Sequence, residues 1–180
     1  MCKECSYCMS HNRVVHVVYG SQTGNSEEIA HTLLQKIQYA IAGSTSTSTS
    51  TCIVDCKPLN EWTTTYTQWN TERALILAVC STTGNGDAPV NACHFWRQFK
   101  KRSQPKDLLE NTMFAVMGLG DSNYDKFCNM GKQLSRRFGE MSSAPFRELC
   151  CVDEALGLEE QVDVYLEEIV PRVCGWLLRA

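Results

Sequence analysis

The chain has 180 residues, a length typical of one domain, and 43% of them are hydrophobic, enough for a single buried core. Its formal net charge of −3 argues against a nucleic-acid partner and is compatible with a basic protein partner. No stretch approaches the roughly 18 apolar residues of a membrane span, and the N-terminus lacks the apolar core of a secretory signal. We therefore expect a cytoplasmic protein, in which most of the 11 cysteines are reduced.

Short apolar runs alternate with helical patterns over residues 13–180. The strand candidates, of which the last two are weaker, are Val14–Tyr19, Leu75–Val79, Met113–Met117, Cys52–Cys56 and Phe146–Val152. The segments with apolar residues at helical spacing are Ser26–Ile41, Pro89–Arg102, Asp125–Glu140 and Leu158–Leu178. Buried strands that alternate with helices predict an α/β domain, a three-layer sandwich with a five-stranded parallel sheet and helices on both faces.

Two segments do not fit this alternation. Residues 1–12 are interpreted as an irregular tail, in which Cys2-x-x-Cys5-x-x-Cys8-x-x-His11 has the ligand spacing of an iron–sulfur or zinc site. A cluster would need a fourth, remote ligand, so metal binding is the less favoured alternative and no metal site is predicted. Residues 43–51 (GSTSTSTST) are interpreted as a mobile loop, with a phosphorylated switch as the alternative.

The first strand leads directly into residues 20–26 (GSQTGNS), which open a helix. Ser21, Thr23 and Ser26 supply hydroxyl groups, and the first-turn amides of the helix point to the same place. Together they form an anion cradle suited to a phosphate monoester. No lysine follows the second glycine as in a Walker motif, so triphosphate hydrolysis is not predicted. The alternative is an ordinary helix start capped by Ser26.

Two further loops follow the next well-defined strands, at the edge of the sheet where α/β proteins bind ligands. Residues 81–89 (STTGNGDAP) contain two glycines that allow close approach of a flat ligand. Residues 118–124 (GLGDSNY) differ from the dinucleotide motif, because Asn123 occupies its last glycine position. Tyr124 can stack on a planar ligand, and its alternative role is packing against the following helix.

The segments YGSQTGNSEEIA, STTGNGDAP and GLGDSNYDKFCNMGK, in this order, resemble the FMN-binding domain of the diflavin reductases over roughly residues 14–178. That family includes NADPH–cytochrome P-450 reductase, methionine synthase reductase and the cytosolic reductase of iron–sulfur cluster assembly. The resemblance implies a flavodoxin-like sheet of order 2-1-3-4-5 and an electron-transfer domain. Such a domain takes electrons from an FAD/NADPH domain and passes them singly to a protein acceptor. A stand-alone flavodoxin shuttle and a flavodoxin-fold module without a cofactor are the alternatives.

The resemblance also implies which residues bind FMN. Those expected at the phosphate are Ser21, Gln22, Thr23, Gly24, Asn25 and Ser26. Those expected along one edge of the isoalloxazine ring are Thr82, Thr83, Gly84 and Gly86. Those expected on the opposite side are Gly118, Gly120, Tyr124, Phe127 and Asn129. Asp153 and Glu154 match an acidic pair near the flavin, and no residue is expected to be a nucleophile or a general acid.

Thr83 departs from the cytochrome P-450 reductases, which have a second stacking aromatic residue at this position. It resembles the methionine synthase and cluster-assembly branches, as do the phrase FCNMGK and the tail DEALGLEEQVDVYL. The chain ends at Ala180 without an FAD signature, so we expect electrons from an FAD/NADPH domain in the same or a separate polypeptide. Acidic residues around the flavin rim predict an acceptor with a basic docking face.

Overall fold

The computed structural model describes residues 13–43, 53–62 and 73–179. The cysteine motif of residues 1–12 and nearly all of the Ser/Thr repeat lie outside the described residues. The strands are β1 Val14–Gly20, β2 Ile53–Pro58, β3 Ala74–Ser81, β4 Thr112–Gly120, β5 Ala144–Pro145 and β6 Cys150–Asp153. The helices are α1 Asn25–Ala42, α2 Leu59–Trp62, α3 Cys93–Phe99, α4 Asn129–Glu140 and α5 Leu158–Leu177.

All strand pairs are parallel, and the sheet order is β2-β1-β3-β4-β5, with β6 also paired to β4. This confirms the predicted order and fold class. The central strand β3 is buried along almost its whole length because both faces of the sheet are covered. Its side chains alternate between the two faces, so that Leu75 and Leu77 enter one core layer and Ile76 and Ala78 the other.

The two core layers lie on opposite faces of the sheet. In the first, α1 and α5 cover the sheet with aliphatic residues such as Leu33 and Ile169. In the second, α2, α3 and α4 contribute aromatic side chains, and the rings of Phe95 and Phe99 stack with centroids 4.6 Å apart. Phe138 of α4 meets Phe99 edge to face at 5.4 Å. These layers fix the strand ends from which the site is built.

The last strand is interrupted, in contrast to the single strand expected over Phe146–Val152. The amide of Phe146 still donates to the Phe114 carbonyl at 2.7 Å, but the ladder resumes only at Cys150. Between them, Arg147 turns toward α5, where its guanidinium binds Glu168 at 2.6 Å and lies 4.6 Å from the Tyr165 ring centroid. This ion pair and cation–π contact hold the chain away from the sheet.

Helix α4 packs closely on β4 because two glycines face each other. A Cβ atom built on Gly131 would lie 2.6 Å from the Cα atom of Gly118, closer than real Cβ contacts allow. The absence of both side chains therefore sets the distance between α4 and the carboxyl end of β4. The third loop of the site leaves β4 directly after this contact.

Gly131→Ala should lower the free energy of unfolding by about 1–3 kcal/mol, because the new methyl group overpacks this contact. Gly139→Ala, in the same helix, is the matched control, since a Cβ there meets nothing within 4 Å. The control should be neutral or stabilising by up to about 1 kcal/mol, as expected for alanine in a helix. Urea denaturation measures both changes, and equal effects would contradict this account of the packing.

Candidate functional site

Three loops meet at the carboxyl ends of β1, β3 and β4, which are adjacent in the sheet. The chain goes from β1 outward to β2 and then returns to β3 on the other side. Such a reversal leaves a crevice between the loops, and this is where open α/β sheets bind ligands. The three loops chosen from the sequence, residues 20–26, 81–89 and 118–124, are the ones that the fold brings together.

The first loop presents the N-terminus of α1 as an anion site. Gly24, at φ 107°, has the left-handed conformation that glycine tolerates, and its amide donates to Ser21 Oγ at 3.0 Å. The Ser21 amide donates to Asn91 Oδ1 at 2.8 Å, which anchors the loop to the segment before α3. No side chain of the described residues caps α1, so its first-turn amides remain available to a ligand.

The Ser26 hydroxyl group supports this interpretation. Ser26 is fully buried, and its Oγ atom has no hydrogen-bond partner among the described residues. A buried hydroxyl without a partner costs roughly 1–3 kcal/mol, which a bound ligand oxygen would recover. The alternative role, a serine cap on α1, is wrong, because Gly24 is the N-cap residue and Ser26 already lies within the helix.

The charges around this loop are acidic. Residues 20–28 contain no lysine or arginine, so an anion here would be held by neutral amide and hydroxyl groups. Glu27 and Glu28 follow in the first turn of α1. The Tyr19 hydroxyl donates to Glu27 Oε1 at 2.8 Å, which holds that carboxylate toward β1. Burial and this hydrogen bond raise the pKa of Tyr19, which therefore stays protonated as the donor.

The second loop is a tight turn. Thr83 and Asp87 form an antiparallel bridge, with the Asp87 amide donating to the Thr83 carbonyl at 2.8 Å. Gly84 at φ 47° and Gly86 at φ 98° supply the left-handed residues that the turn needs. Pro89 does not begin a helix as the sequence suggested; a turn follows it, and α3 starts only at Cys93.

The third loop consists of consecutive turns. Asp121 Oδ1 accepts from the Asn123 amide at 2.8 Å, and the Tyr124 carbonyl accepts from the Phe127 amide at 3.1 Å. The predicted helix over Asp125–Glu140 is therefore shorter and begins at Asn129. Tyr124 is 68% exposed, so it does not pack against the following helix as the alternative role would require.

Two hydrogen bonds tie the second loop to the start of α4. Asn129 Nδ2 donates to the Gly86 carbonyl at 2.8 Å, and Thr82 Oγ1 accepts from the Met130 amide at 3.1 Å. A Cβ on Gly86 would lie 2.7 Å from Asn129 Nδ2, so only glycine fits beneath this contact. The second loop is consequently held in place by the first turn of α4.

Asp153, at the end of β6, supports the third loop from behind. Its buried carboxylate accepts from the Ser122 and Ala155 amides, each at 3.0 Å. Hydrogen bonds from the Ser122 hydroxyl and then from these amides lower the pKa of Asp153, and burial opposes the shift. Because the pKa is depressed by folding, this stabilisation is complete above the ordinary carboxyl pKa and is lost as pH falls through the lowered value.

A cavity of about 380 Å³ lies between the second and third loops. Its lining residues are Thr82, Gly84, Gly120, Asp121, Tyr124, Lys126, Phe127 and Glu154. Five of these were expected from the resemblance, whereas Asp121, Lys126 and Glu154 were not assigned to the cofactor. Thr83, Gly86, Gly118, Asn129 and Asp153 were expected to bind the cofactor but lie outside this lining.

Within residues 13–43, 53–62 and 73–179, no cluster of His, Cys, Asp and Glu could hold a metal ion. No helix in these ranges has the length and apolar character to cross a membrane.

Residues 17–166 match the Flavodoxin family, which is well over half of the chain. The chain belongs to the flavodoxin family. A cysteine-to-alanine mutant of the Pseudomonas aeruginosa flavodoxin matches this domain with a TM-score of 0.68 at 21% identity, covering 89% of this chain and 97% of that one. The flavodoxin of Streptococcus pneumoniae TIGR4 matches with a TM-score of 0.64 at 22% identity, covering 90% and 98%.

Two curated relatives of this flavodoxin-family domain are longer proteins from Bos taurus. NADPH-dependent diflavin oxidoreductase 1 is 32% identical over 165 residues, which are 88% of this chain and 25% of that protein. Methionine synthase reductase is 30% identical over 151 residues, which are 83% of this chain and 20% of that protein. The chain thus spans a quarter or less of each relative. These findings confirm the resemblance to diflavin reductases and FMN as the cofactor.

The described residues of this flavodoxin-family domain fit FMN at both ends of the crevice. At the phosphate end, the unpartnered Ser26 hydroxyl and the uncapped first turn of α1 match a phosphate monoester. At the ring end, the cavity has room for a flat group, and Tyr124 offers an exposed aromatic face. The alternative of a flavodoxin-fold module without a cofactor is therefore not supported.

Proposed function

We propose that this flavodoxin-family domain is the FMN domain of an NADPH-dependent diflavin reductase. One observation carries the proposal: two features occur together at the same edge of the sheet. One is the uncapped N-terminus of α1 with the buried Ser26 hydroxyl, and the other is the cavity that Tyr124 lines. The two diflavin relatives support the choice of reductase over a stand-alone flavodoxin shuttle, which is the second candidate. We also propose a cytosolic setting, with residues 13–180 as the domain.

In this proposal the chain's own residues bind and orient the cofactor and do no covalent chemistry. Bound FMN supplies the redox chemistry, because it accepts electrons in pairs or singly and releases them one at a time. The amides of the first turn of α1 and the hydroxyls of Ser21, Thr23 and Ser26 hold the phosphate. Tyr124 stacks on the ring, and Thr82, Gly84 and Gly120 line its edges.

Residues that lie behind the cavity have positioning roles in this proposal. Asn129 donates a hydrogen bond to the Gly86 carbonyl, and Asp153 accepts one from the Ser122 amide. Gly118 has no side chain and so allows α4 to pack closely on β4. Thr83 donates to the Asp87 carbonyl at 3.1 Å and so closes its own turn rather than covering the ring. Gln22, expected at the phosphate, accepts from the Val90 amide at 3.3 Å and so joins the first two loops.

The rim of the cavity suits a basic electron acceptor. Asp87, Asp125 and Glu154 are exposed around it, with Lys126 as an opposing charge. Two exposed apolar residues lie on the same edge of the sheet, Val90 at 66% and Leu156 at 76%. An acidic rim with apolar positions steers an oppositely charged protein and then gives it a surface to contact.

The proposed place in an electron chain can be tested with purified components. The holoprotein should be yellow and release FMN, not FAD, on heating. Alone it should oxidise NADPH no faster than free FMN does, since the proposal assigns the nicotinamide site to an FAD/NADPH domain. Adding a diflavin reductase FAD/NADPH domain should produce reduction of cytochrome c that depends on both proteins. Rapid NADPH oxidation by the pure chain would contradict the proposal.

Tyr124→Ala should weaken FMN binding by roughly 1–3 kcal/mol, because the aromatic stacking surface is lost. Thr83→Ala should cost clearly less, since Thr83 lies outside the cavity lining and offers no ring. Fluorescence titration of the apoprotein with FMN measures both constants. Equal losses in the two variants would mean that the ring is not stacked on Tyr124.

Charge reversal on the rim should slow electron delivery to a protein acceptor at low salt. Asp125→Lys is the test variant, and Asp107→Lys is its matched control. Both residues are exposed, but Asp107 lies on the segment that leads into β4, at the opposite end of the sheet. Asp121 is unsuitable, because it lines the cavity and caps the third loop.

The rate of cytochrome c reduction should fall for Asp125→Lys, and raising salt should remove the difference. The screening length drops from about 10 Å at 0.1 M to about 3 Å at 1 M, which abolishes long-range attraction. Reduction of a small neutral acceptor should be the same in all three proteins. If Asp107→Lys slows cytochrome c reduction equally, net charge rather than the rim governs docking.

A further inference from the structure

Cys128 and Cys151 are neighbouring thiols behind the third loop. Cys128 is fully buried just before α4, and Cys151 is half-buried in β6. Cys128 Sγ donates to the Gly118 carbonyl at 3.2 Å and to the Val152 carbonyl at 3.6 Å, so it lies against the strand that carries Cys151. Both thiols are free, and neither has a role in the function proposed above.

The two thiols meet because Gly118 has no side chain. Gly118 is opposite Cys151 in the β4–β6 ladder, so both residues face α4. A Cβ on Gly118 would lie 3.4 Å from the Cys128 Cβ atom, so a side chain at Gly118 would crowd Cys128. The preceding residue, Cys150, faces the opposite way and packs in the layer with α5.

We propose that Cys128 and Cys151 are a reversible oxidation site, which forms a disulfide with a small-molecule disulfide such as glutathione disulfide and thereby weakens FMN binding. The Cys151 thiolate attacks one glutathione sulfur, which forms a mixed disulfide and releases one glutathione. The Cys128 thiolate then attacks Cys151 Sγ and releases the second glutathione. Two protein thiols are oxidised, glutathione disulfide is reduced to two thiols, and these take up both protons.

The order of the two attacks follows from the surroundings of each thiol. Burial, above all, raises the pKa of Cys128, so its thiolate is rare until the loop opens. Cys151 is partly exposed and can meet the oxidant first. Cys128 is then the resolving thiol, because its Sγ atom lies 3.6 Å from the carbonyl of Val152, the residue after Cys151.

The site is coupled to the flavin cavity through the backbone of Cys128. Cys128 has a left-handed φ of 51°, and its amide nitrogen lies 2.7 Å from where a Cβ of Gly120 would be. Gly120 and Phe127, which contact it, both line the cavity. A disulfide sulfur can no longer donate to the Gly118 carbonyl, so oxidation changes the contacts that hold this wall. Bound FMN should therefore lower the equilibrium constant for disulfide formation, and the disulfide should lower the FMN binding constant by the same factor.

The test uses the full chain in glutathione redox buffers, with and without saturating FMN, quenched by alkylation and analysed by peptide mass spectrometry. We expect a Cys128–Cys151 cross-linked peptide that is reversed by reduced glutathione. The equilibrium constant for oxidation should fall by about fivefold or more when FMN is bound. The apoprotein arm needs no flavin, so this proposal and the proposed function can fail separately.

Cys150→Ser is the matched control and should form the cross-link as the wild type does. Cys151→Ser should form no bridge to Cys128. A glutathione adduct on Cys151 that never resolves, or a bridge from Cys151 to a different cysteine, would overturn the disulfide. Equal oxidation constants with and without FMN would overturn its coupling to the cavity.

Discussion

The candidate site depends on hydrogen-bond donors that stay unpaired at the start of α1, beside a buried hydroxyl group. A helix begins with amides that have no partner in the helix, and a side chain or a ligand can satisfy them. Here Gly24 occupies the cap position, and Ser26 adds a buried hydroxyl that no described residue satisfies. The arrangement costs stability until an anion enters, and the rest of the fold holds it in place.

The parallel sheet explains why this anion site has a ring site beside it. Parallel strands place their carboxyl ends on one edge, so the loops after β1, β3 and β4 must meet. The first loop is joined to the second through Gln22 and Asn91, and the second to the start of α4 through Asn129 and Thr82. A phosphate bound at α1 therefore determines where the attached flat group lies.

Much of this could be predicted from the sequence because it depends on local chemistry. Val14–Tyr19, followed by residues 20–26, predicts a buried strand that leads through a short loop into a helix, and this prediction does not depend on the order of the strands. Positions that depend on tertiary contacts could not be predicted in the same way. Arg147 lies at the break in the last strand, and its partners there, Glu168 and Tyr165, are on α5 and distant in sequence.

The candidate site likewise contains residues that local sequence identifies and residues that depend on tertiary contacts. Tyr124 was identified because an aromatic residue on a glycine-rich loop has no local reason to be there. Lys126 lines the cavity without such a signal, since a lysine after Asp125 is typical of any solvated turn. The left-handed conformation of Cys128, which delays the start of α4, is likewise rare for this residue type and depends on its buried contacts.

The most direct test of the account compares FMN with riboflavin, which lacks the phosphate, in titrations of wild type, Ser26→Ala and Ser21→Ala. The account predicts that Ser26→Ala leaves the apoprotein as stable or more stable, because an unsatisfied hydroxyl is removed. Ser26→Ala should weaken FMN binding by about 1 kcal/mol or more and leave riboflavin binding unchanged. Ser21→Ala, in contrast to Ser26→Ala, should destabilise the apoprotein, since Ser21 Oγ accepts a hydrogen bond from the Gly24 amide. Two results would show that the phosphate is not bound at α1 and that the central claim is wrong. Ser26→Ala would weaken the binding of riboflavin as much as that of FMN, or it would weaken the binding of neither.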